Sequence, residues 1–282
     1  MDVAVKTVCD LLLKKKRGEK ITMLTAHDAA FGTLVDRAGV DLILVGDSLG
    51  MVALGYDSTV PVTMAEMIHH ARAVRRGVKN ALLIGDMPFL SYQVDAKEAI
   101  VNAGRFLKEA GCAAVKMEGG ARLAATVAAV VRAGIPVMGH IGLTPQTAGQ
   151  LGGFKVQGRD DGSAEKLLHD AEALAESGAF ALVLECVPAL LAQKISAAVS
   201  IPTIGIGAGP HCDGQVLVTH DLLGLFDRFV PRFAKQYAGL AEQAGAALSA
   251  FRDEVESGVF PAAEHSFGPL MEGNRSPGPT KS

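Results

Sequence analysis

Eight short runs of uninterrupted apolar residues recur along the chain: 21–27 (ITMLTAH), 41–46 (DLILVG), 81–86 (ALLIGD), 113–118 (AAVKME), 135–140 (IPVMGH), 181–186 (ALVLEC), 201–207 (IPTIGIG) and 215–220 (QVLVTH). A strand with one wet face alternates apolar and polar residues. These runs do not, so each is predicted to be a strand covered on both faces, as in a parallel sheet. Ala-rich helical patterns separate most of them. MAEMIHHARAVRRG closes on Arg75, Arg76 and Gly77, a basic last turn and a terminal glycine. DAKEAIVNAGRFLKEAG opens on a capping Asp95 and ends at Gly111, and SAEKLLHDAEALAESG repeats the design with Ser163 and Gly178. Eight such units in 282 residues predict a (β/α)₈ barrel around one core. An open doubly wound sheet is the alternative. Its phosphate fingerprint is poor here, because GIGAGPHCDG has Pro210 where the last glycine should fall. The link from the seventh run to the eighth is too short for a full helix, so that unit is expected to be irregular. The expected organisation is one barrel domain over 1–256, with flanking helices at 1–17 and 233–256. The Gly-, Pro- and Ser-rich stretch 257–282 reads as an extended, partly disordered tail.

Charge and composition exclude several function classes. Lys plus Arg (27) nearly balance Asp plus Glu (30), and Trp is absent, which argues against nucleic-acid binding. No uncharged apolar run reaches the length of a membrane span. The start MDVAVKTVCDLLLKKKRGEK puts its basic block after the apolar residues, the wrong order for export. Cys9, Cys112, Cys186 and Cys212 form no C-x-x-C pair, so buried thiols in a reducing, cytoplasmic compartment are expected.

The chemistry concentrates where the apolar runs end. In a barrel of parallel strands, the carboxyl ends share one rim, and reactive groups come from there. His27 and Asp28, Asp47 and Ser48, Asp86, Lys116 and Glu118, His140, Glu185, and His220 with Asp221 all fall at such ends. An Asp after a strand can be only a helix cap. Two adjacent strands with the same apolar-Gly-Asp ending (Asp47, Asp86) would instead set two carboxylates side by side, and a divalent cation relieves their repulsion. All-oxygen ligands favour Mg²⁺. Glu118 is a third ligand or an acceptor for metal-bound water. Lys116 reads as a partner for a substrate carboxylate, or as half of a structural ion pair. Glu185, inside an apolar strand, is a candidate base, since burial raises a carboxyl pKa. His140 and His220 read first as structural histidines. The loop GIGAGPHCDG is either an anion cradle or a tight turn.

The segments LVGDSLGMVALGYDSTVPVT, GDMPFLSY, VKMEGG, GIPVMGHIGLTPQ, GGFKVQGR, LVLECVP, IPTIGIGAGPHCDGQVLV and EVESGVFPAAEHSF, in this order, closely resemble the ketopantoate hydroxymethyltransferase family. The resemblance spans about residues 5 to 267. It implies a barrel of the phosphoenolpyruvate mutase/isocitrate lyase type, Mg²⁺, and 5,10-methylenetetrahydrofolate as co-substrate. It also implies conversion of 3-methyl-2-oxobutanoate to 2-dehydropantoate, on the way to pantothenate and coenzyme A. The family's metal ligands fall on Asp47 and Asp86, with Glu118 in or beside the shell. Its ketoacid contacts fall on Asp47, Ser48, Asp86 and Lys116, and its catalytic base on Glu185. The family forms homo-oligomers, typically decamers of two pentameric rings. One departure is His27, where the family usually carries tyrosine. The rival readings are a Mg²⁺-dependent C–C lyase or phosphomutase on the same barrel and an inactive barrel used for binding. The lyases usually carry a reactive cysteine in a Lys-x-Cys-Gly-type loop, which this sequence lacks.

Overall fold

The computed structural model describes residues 5–226 and 228–268. The chain falls into two compact units, Met1–Ala238 and Gly239–Ser282. In the first, eight parallel strands close into a barrel in chain order: β1 (Ile21–Thr25), β2 (Leu42–Val45), β3 (Leu82–Asp86), β4 (Ala114–Glu118), β5 (Val137–Gly142), β6 (Ala181–Glu185), β7 (Thr203–Ile206) and β8 (Gly214–Leu217). The β1–β8 pairing, Ile21 opposite Gly214 through Leu24 opposite Leu217, closes the ring. The helices are α1 (Val8–Arg17), α2 (Ala29–Arg37), α3 (Leu49–Val52), α4 (Met64–Gly77), α5 (Ala96–Ala110), α6 (Ala124–Arg132), α7 (Asp161–Glu176), α8 (Ala189–Ala198) and α9 (Thr219–Leu222). The second unit carries α10 (Leu240–Glu256). No helix among the described residues is long and apolar enough to cross a membrane.

Both faces of the strands are covered, as their continuous apolar character requires. The two faces feed two separate cores. Outward residues such as Ile43, Leu83, Val115, Val137 and Leu182 pack against the helices. Inward residues such as Ile21, Met23, Leu42, Leu44, Leu82, Ile84, Met138, Val183 and Ile204 fill the barrel, with Leu11 of α1 packed among them. Each fully buried side chain of this kind contributes about 1.5–3 kcal/mol.

The helices start where side chains satisfy their free N–H groups. Thr7 and Thr63 form capping boxes with Asp10 and Glu66, and Asp95 caps α5. Gly111 ends α5 at φ 68°, as expected. Two caps differ from the sequence reading. Asp160, not Ser163, caps α7, and Ser163 is its reciprocal partner three residues on. Gly77 is still helical, and Val78 follows it in extended backbone. Its real constraint is contact with α2: a Cβ there would lie 2.4 Å from the Ala29 carbonyl oxygen and 2.7 Å from Thr33 N.

The last strand and the last helix also differ. β8 ends at Leu217, and His220 and Asp221 sit on α9 rather than on the strand. The Thr219 N–H and hydroxyl are drawn sideways onto Thr25 of β1, and this turns the chain into the helix. No helix joins β7 to β8, as the short link predicts. The final helix begins at Leu240, not at 233. The Tyr237 N–H bonds to the Leu222 carbonyl at 2.8 Å, and Ala234 N–H to Pro231 at 2.9 Å, so this stretch is held out of a helix. In the predicted tail, a 3₁₀ turn forms at Ala263–His265. Positions 269–282 lie outside the described residues.

Candidate active site

Strand parity explains why charge gathers at one end. Side chains two apart point to the same face. The inward column of β3 runs Leu82, Ile84, Asp86. On β4 it runs Ala114, Lys116, Glu118; on β5, Met138, His140; on β6, Ala181, Val183, Glu185. Apolar members fill the barrel and the last polar ones surface at its carboxyl end. Parallel register places Asp86 beside Lys116 and Glu118 beside His140. Asp47 and Ser48 arrive from the turn after β2. Asp47, Ser48, Asp86, Lys116, Glu118, His140 and Glu185 all line one cavity of about 510 Å³ at this end.

The side chains form one connected network. Asp47, Asp86 and Glu118 are buried, and one oxygen from each lies within 4.8 Å of the others. The Asp47 N–H donates to Asp86 Oδ2 at 3.1 Å. Lys116 Nζ lies 2.9 Å from Asp86 Oδ1 and 3.0 Å from Glu118 Oε1. His140 bridges inward and outward: Nδ1 is 3.2 Å from Glu118 Oε1, and Nε2 is 3.3 Å from Glu185 Oε2. Glu185 stays half-buried at the lip. The Ser48 hydroxyl oxygen is buried without a hydrogen-bond partner.

Electrostatics divides the carboxyl groups. Burial, reinforced by Asp86 and Glu118, holds the Asp47 carboxyl well above the usual range. Asp86 is also raised, by burial and by Glu118, against the opposing pull of Lys116. Burial would raise Glu118 too, but Lys116 and His140 outweigh it and bring Glu118 down to about 2. Burial works against charge on Lys116, yet Asp86, Glu118 and Asp47 keep its ammonium well above the usual value. On His140, burial and Lys116 favour the neutral ring, while Glu118 and Glu185 prevail and lift it to about 9. Negative charge exceeds positive charge here, and Asp47 carries the deficit. An added cation is what would let all three carboxylates ionise together.

Two residues of the network were not singled out from sequence, and a third, the strand-end His140, read first as structural, sits between the two glutamates. Gln146, on the 3₁₀ turn Pro145–Thr147, is buried and donates from Nε2 to Asp47 Oδ2 and to the Met87 carbonyl, both at 2.9 Å. Its backbone N–H reaches Glu118 Oε2 at 3.2 Å. Tyr92, fully buried, donates to Gln146 Oε1 at 2.7 Å and accepts from the Glu118 N–H at 3.0 Å. The only signal for Gln146 in the sequence is its place in the segment GLTPQ.

Other strand-end groups stay apart. Asp28 caps α2. His27 and His220 stack with centroids 5.4 Å apart, and both His27 nitrogens are buried without partners. In the loop GIGAGPHCDG the carbonyls of Pro210 and Cys212 accept from Lys20, and that of Gly209 from Gln215. The tight-turn reading fits this bracing better than an anion cradle.

The chain has many relatives. The sequence model of the family described as ketopantoate hydroxymethyltransferase matches residues 5–263. A 3-methyl-2-oxobutanoate hydroxymethyltransferase of Moorella thermoacetica is 64% identical over 261 residues, 93% of this chain and 97% of that protein. The protein of the same name from Desulfotalea psychrophila is 58% identical over 262 residues, covering 93% and 94%. Among solved structures, the phosphoenolpyruvate phosphomutase of Streptomyces platensis subsp. rosaceus aligns with TM-score 0.61 at 17% identity, covering 93% of this chain and 92% of that one. A 2,3-dimethylmalate lyase of the phosphoenolpyruvate mutase/isocitrate lyase superfamily aligns with TM-score 0.59 at 14% identity, covering 93% and 92%. At such identities the structural likeness speaks for the fold alone.

Proposed function

The chain belongs to the ketopantoate hydroxymethyltransferase family, and from that membership we propose that it moves a hydroxymethyl group from 5,10-methylenetetrahydrofolate to 3-methyl-2-oxobutanoate, giving 2-dehydropantoate. Overall, the C3–H bond of the ketoacid breaks and a C3–CH₂ bond forms. Water supplies the hydroxyl oxygen, and tetrahydrofolate leaves. The observation that carries this reading is the buried trio Asp47, Asp86 and Glu118, with Lys116 among them, at the inner end of a cavity.

The donor set fits Mg²⁺. It offers only carboxylate oxygens, and the Asp47 carboxyl, held up by burial and by the neighbouring Asp86 and Glu118, is one that an added cation would let ionise. Asp47 and Asp86 would hold the ion, with Glu118 as third ligand or as acceptor for its water. Bound there, it would supply Lewis-acid polarisation of the 2-oxo group, which acidifies the C3 proton.

The chain's own residues do the rest. Asp86 and Glu118 pin the Lys116 ammonium, which gives the ketoacid's oxygens a fixed positive partner. The unpartnered Ser48 hydroxyl is free to donate to the same oxygens. Glu185, at the lip, is the base that accepts the C3 proton. His140, whose Nε2 lies 3.3 Å away, steadies its charge before transfer. The same reading puts the enzyme in a reducing cytoplasm, in keeping with the four free cysteines, and in a homo-oligomer, as the family resemblance implies.

The direct assay combines protein, Mg²⁺, methylenetetrahydrofolate and 3-methyl-2-oxobutanoate. We expect 2-dehydropantoate, and its loss on chelation. Consumption of the ketoacid without folate, or no product at all, would refute the reading.

A further inference from the structure

The loop that leaves β3 brings one hydroxyl to a fixed place. Pro88 to Ser91 make a tight turn, in which the Ser91 N–H and hydroxyl both donate to the Pro88 carbonyl, at 3.1 and 2.7 Å. Asn102 of α5 donates to the Ser91 carbonyl at 2.8 Å. Leu90 takes φ 64° in this turn, left-handed backbone that a leucine adopts only where its surroundings impose it. Two residues on, Tyr92 turns inward and packs in the core between strands and helices. Its side chain is fully buried and does not line the cavity.

A buried phenol needs polar partners. The Tyr92 oxygen accepts from the Glu118 N–H at 3.0 Å. Its single proton goes to Gln146 Oε1 at 2.7 Å rather than to the Glu118 carbonyl at 3.2 Å. Gln93 Nε2 adds a longer bond to the same Oε1, at 3.4 Å. With Oε1 committed there, the Gln146 amide nitrogen faces two acceptors, Asp47 Oδ2 and the Met87 carbonyl, both at 2.9 Å. A flipped amide would set oxygen against oxygen at both. One hydroxyl from the β3 loop thus reaches Glu118 directly and Asp47 through a single amide.

We propose that Tyr92 is a positioning residue for the cation site: its hydroxyl fixes the Gln146 amide and the Glu118 main chain, and so presets the Asp47 and Glu118 carboxylates for a divalent ion. The inference rests on the reading of Asp47, Asp86 and Glu118 as that site and adds what holds them. Carboxylates already in place lose less freedom when the ion binds, so the gain falls on ion affinity rather than on the chemical step.

Tyr92→Phe keeps the ring and removes the hydroxyl. In titration calorimetry of the intact, substrate-free protein it should weaken Mg²⁺ about tenfold, while kcat at saturating Mg²⁺ stays within about threefold of wild type. Combined with Gln146→Leu, it should weaken Mg²⁺ by no more than about threefold beyond Gln146→Leu alone, because the amide that the hydroxyl sets is already gone. Ile195→Val, a buried change on α8 of similar cost to stability, should leave Mg²⁺ affinity within about twofold. Mg²⁺ affinity within about twofold of wild type in Tyr92→Phe would overturn the assignment and leave the cation site standing. A full further tenfold loss in the double variant would show that Tyr92 does not act through Gln146, and an equal loss in Ile195→Val would reduce the effect to general loosening. Either result overturns the proposal. Wild type with no measurable Mg²⁺ binding would remove the cation site itself, and the inference with it.

Discussion

Two sectors of the same rim carry ionisable groups at equivalent places, yet they are built on opposite principles. From β2 to β6, Asp47, Asp86, Lys116, Glu118, His140 and Glu185 form a continuous chain of contacts between 2.9 and 3.3 Å. At β1 and after β8, His27 and His220 stack on each other, and no hydrogen bond reaches either His27 nitrogen. Burial and the neighbouring imidazoles of His220 and His70 push His27 down to about 3, so the ring is neutral. A polar residue at a strand end is therefore not yet a site. The connected sector can hold opposite charges ready, and the stacked sector behaves as core.

Substitutions should separate the two sectors sharply. The largest effect is expected at the ion-binding pair: Asp47→Ala or Asp86→Ala should lower kcat/KM by about 10³-fold or more and abolish tight Mg²⁺ binding in titration calorimetry. Next comes Glu185→Gln. Solvent deuterium entry at C3 of the ketoacid, followed without folate, should slow by about 10²–10⁴-fold if Glu185 is the base. Wild-type exchange would remove it from that step. Gln146→Leu should weaken Mg²⁺ roughly 10–100-fold, with most of kcat recovered at saturating Mg²⁺, because the change frees the Asp47 carboxylate without removing a ligand and leaves the backbone bond to Glu118 in place. Unchanged metal affinity would make the Gln146 bonds purely structural.

The smallest effect belongs to the stacked sector and acts on stability. The folded pKa of His27, about 3, lies below its ordinary 6.5, so the unfolded chain binds the proton more readily. Stability is then full above pH 6.5 and falls as the pH drops toward 3, by about 1.4 kcal/mol per unit. In urea titrations, His27→Phe should lose about 2 kcal/mol less than wild type between pH 7 and pH 5, while turnover at pH 7 stays within about twofold. Equal acid sensitivity in the two proteins would show that His27 is not neutral in the native state.

Much of this contrast is legible in sequence, because strand parity is. Continuous apolar runs require two covered faces, and a polar residue two positions beyond an inward apolar one must emerge at the mouth. Asp86, Lys116, Glu118 and Glu185 follow from that rule. His140 obeys it too, but a single imidazole in an apolar strand looks the same whether its neighbour strands offer carboxylates or not. Gln146 is less accessible still. It lies on a turn, and its partners Asp47, Met87 and Tyr92 come from two other connections of the barrel and Glu118 from the end of β4. The end of β8 and the start of α10 were displaced because backbone groups at Thr219 and Tyr237 bond to distant residues, which local propensity does not register.

The account stands on carboxylates from β2, β3 and β4 gripping one cation at the barrel mouth. Anomalous diffraction from crystals soaked in Mn²⁺, an oxygen-seeking stand-in for Mg²⁺, tests this most directly. A peak at ordinary coordination distance, about 2.0–2.3 Å, from Asp47 and Asp86 oxygens is predicted, with Glu118 bonded to the ion directly or through water. A peak elsewhere, or none at concentrations that support turnover, would contradict it.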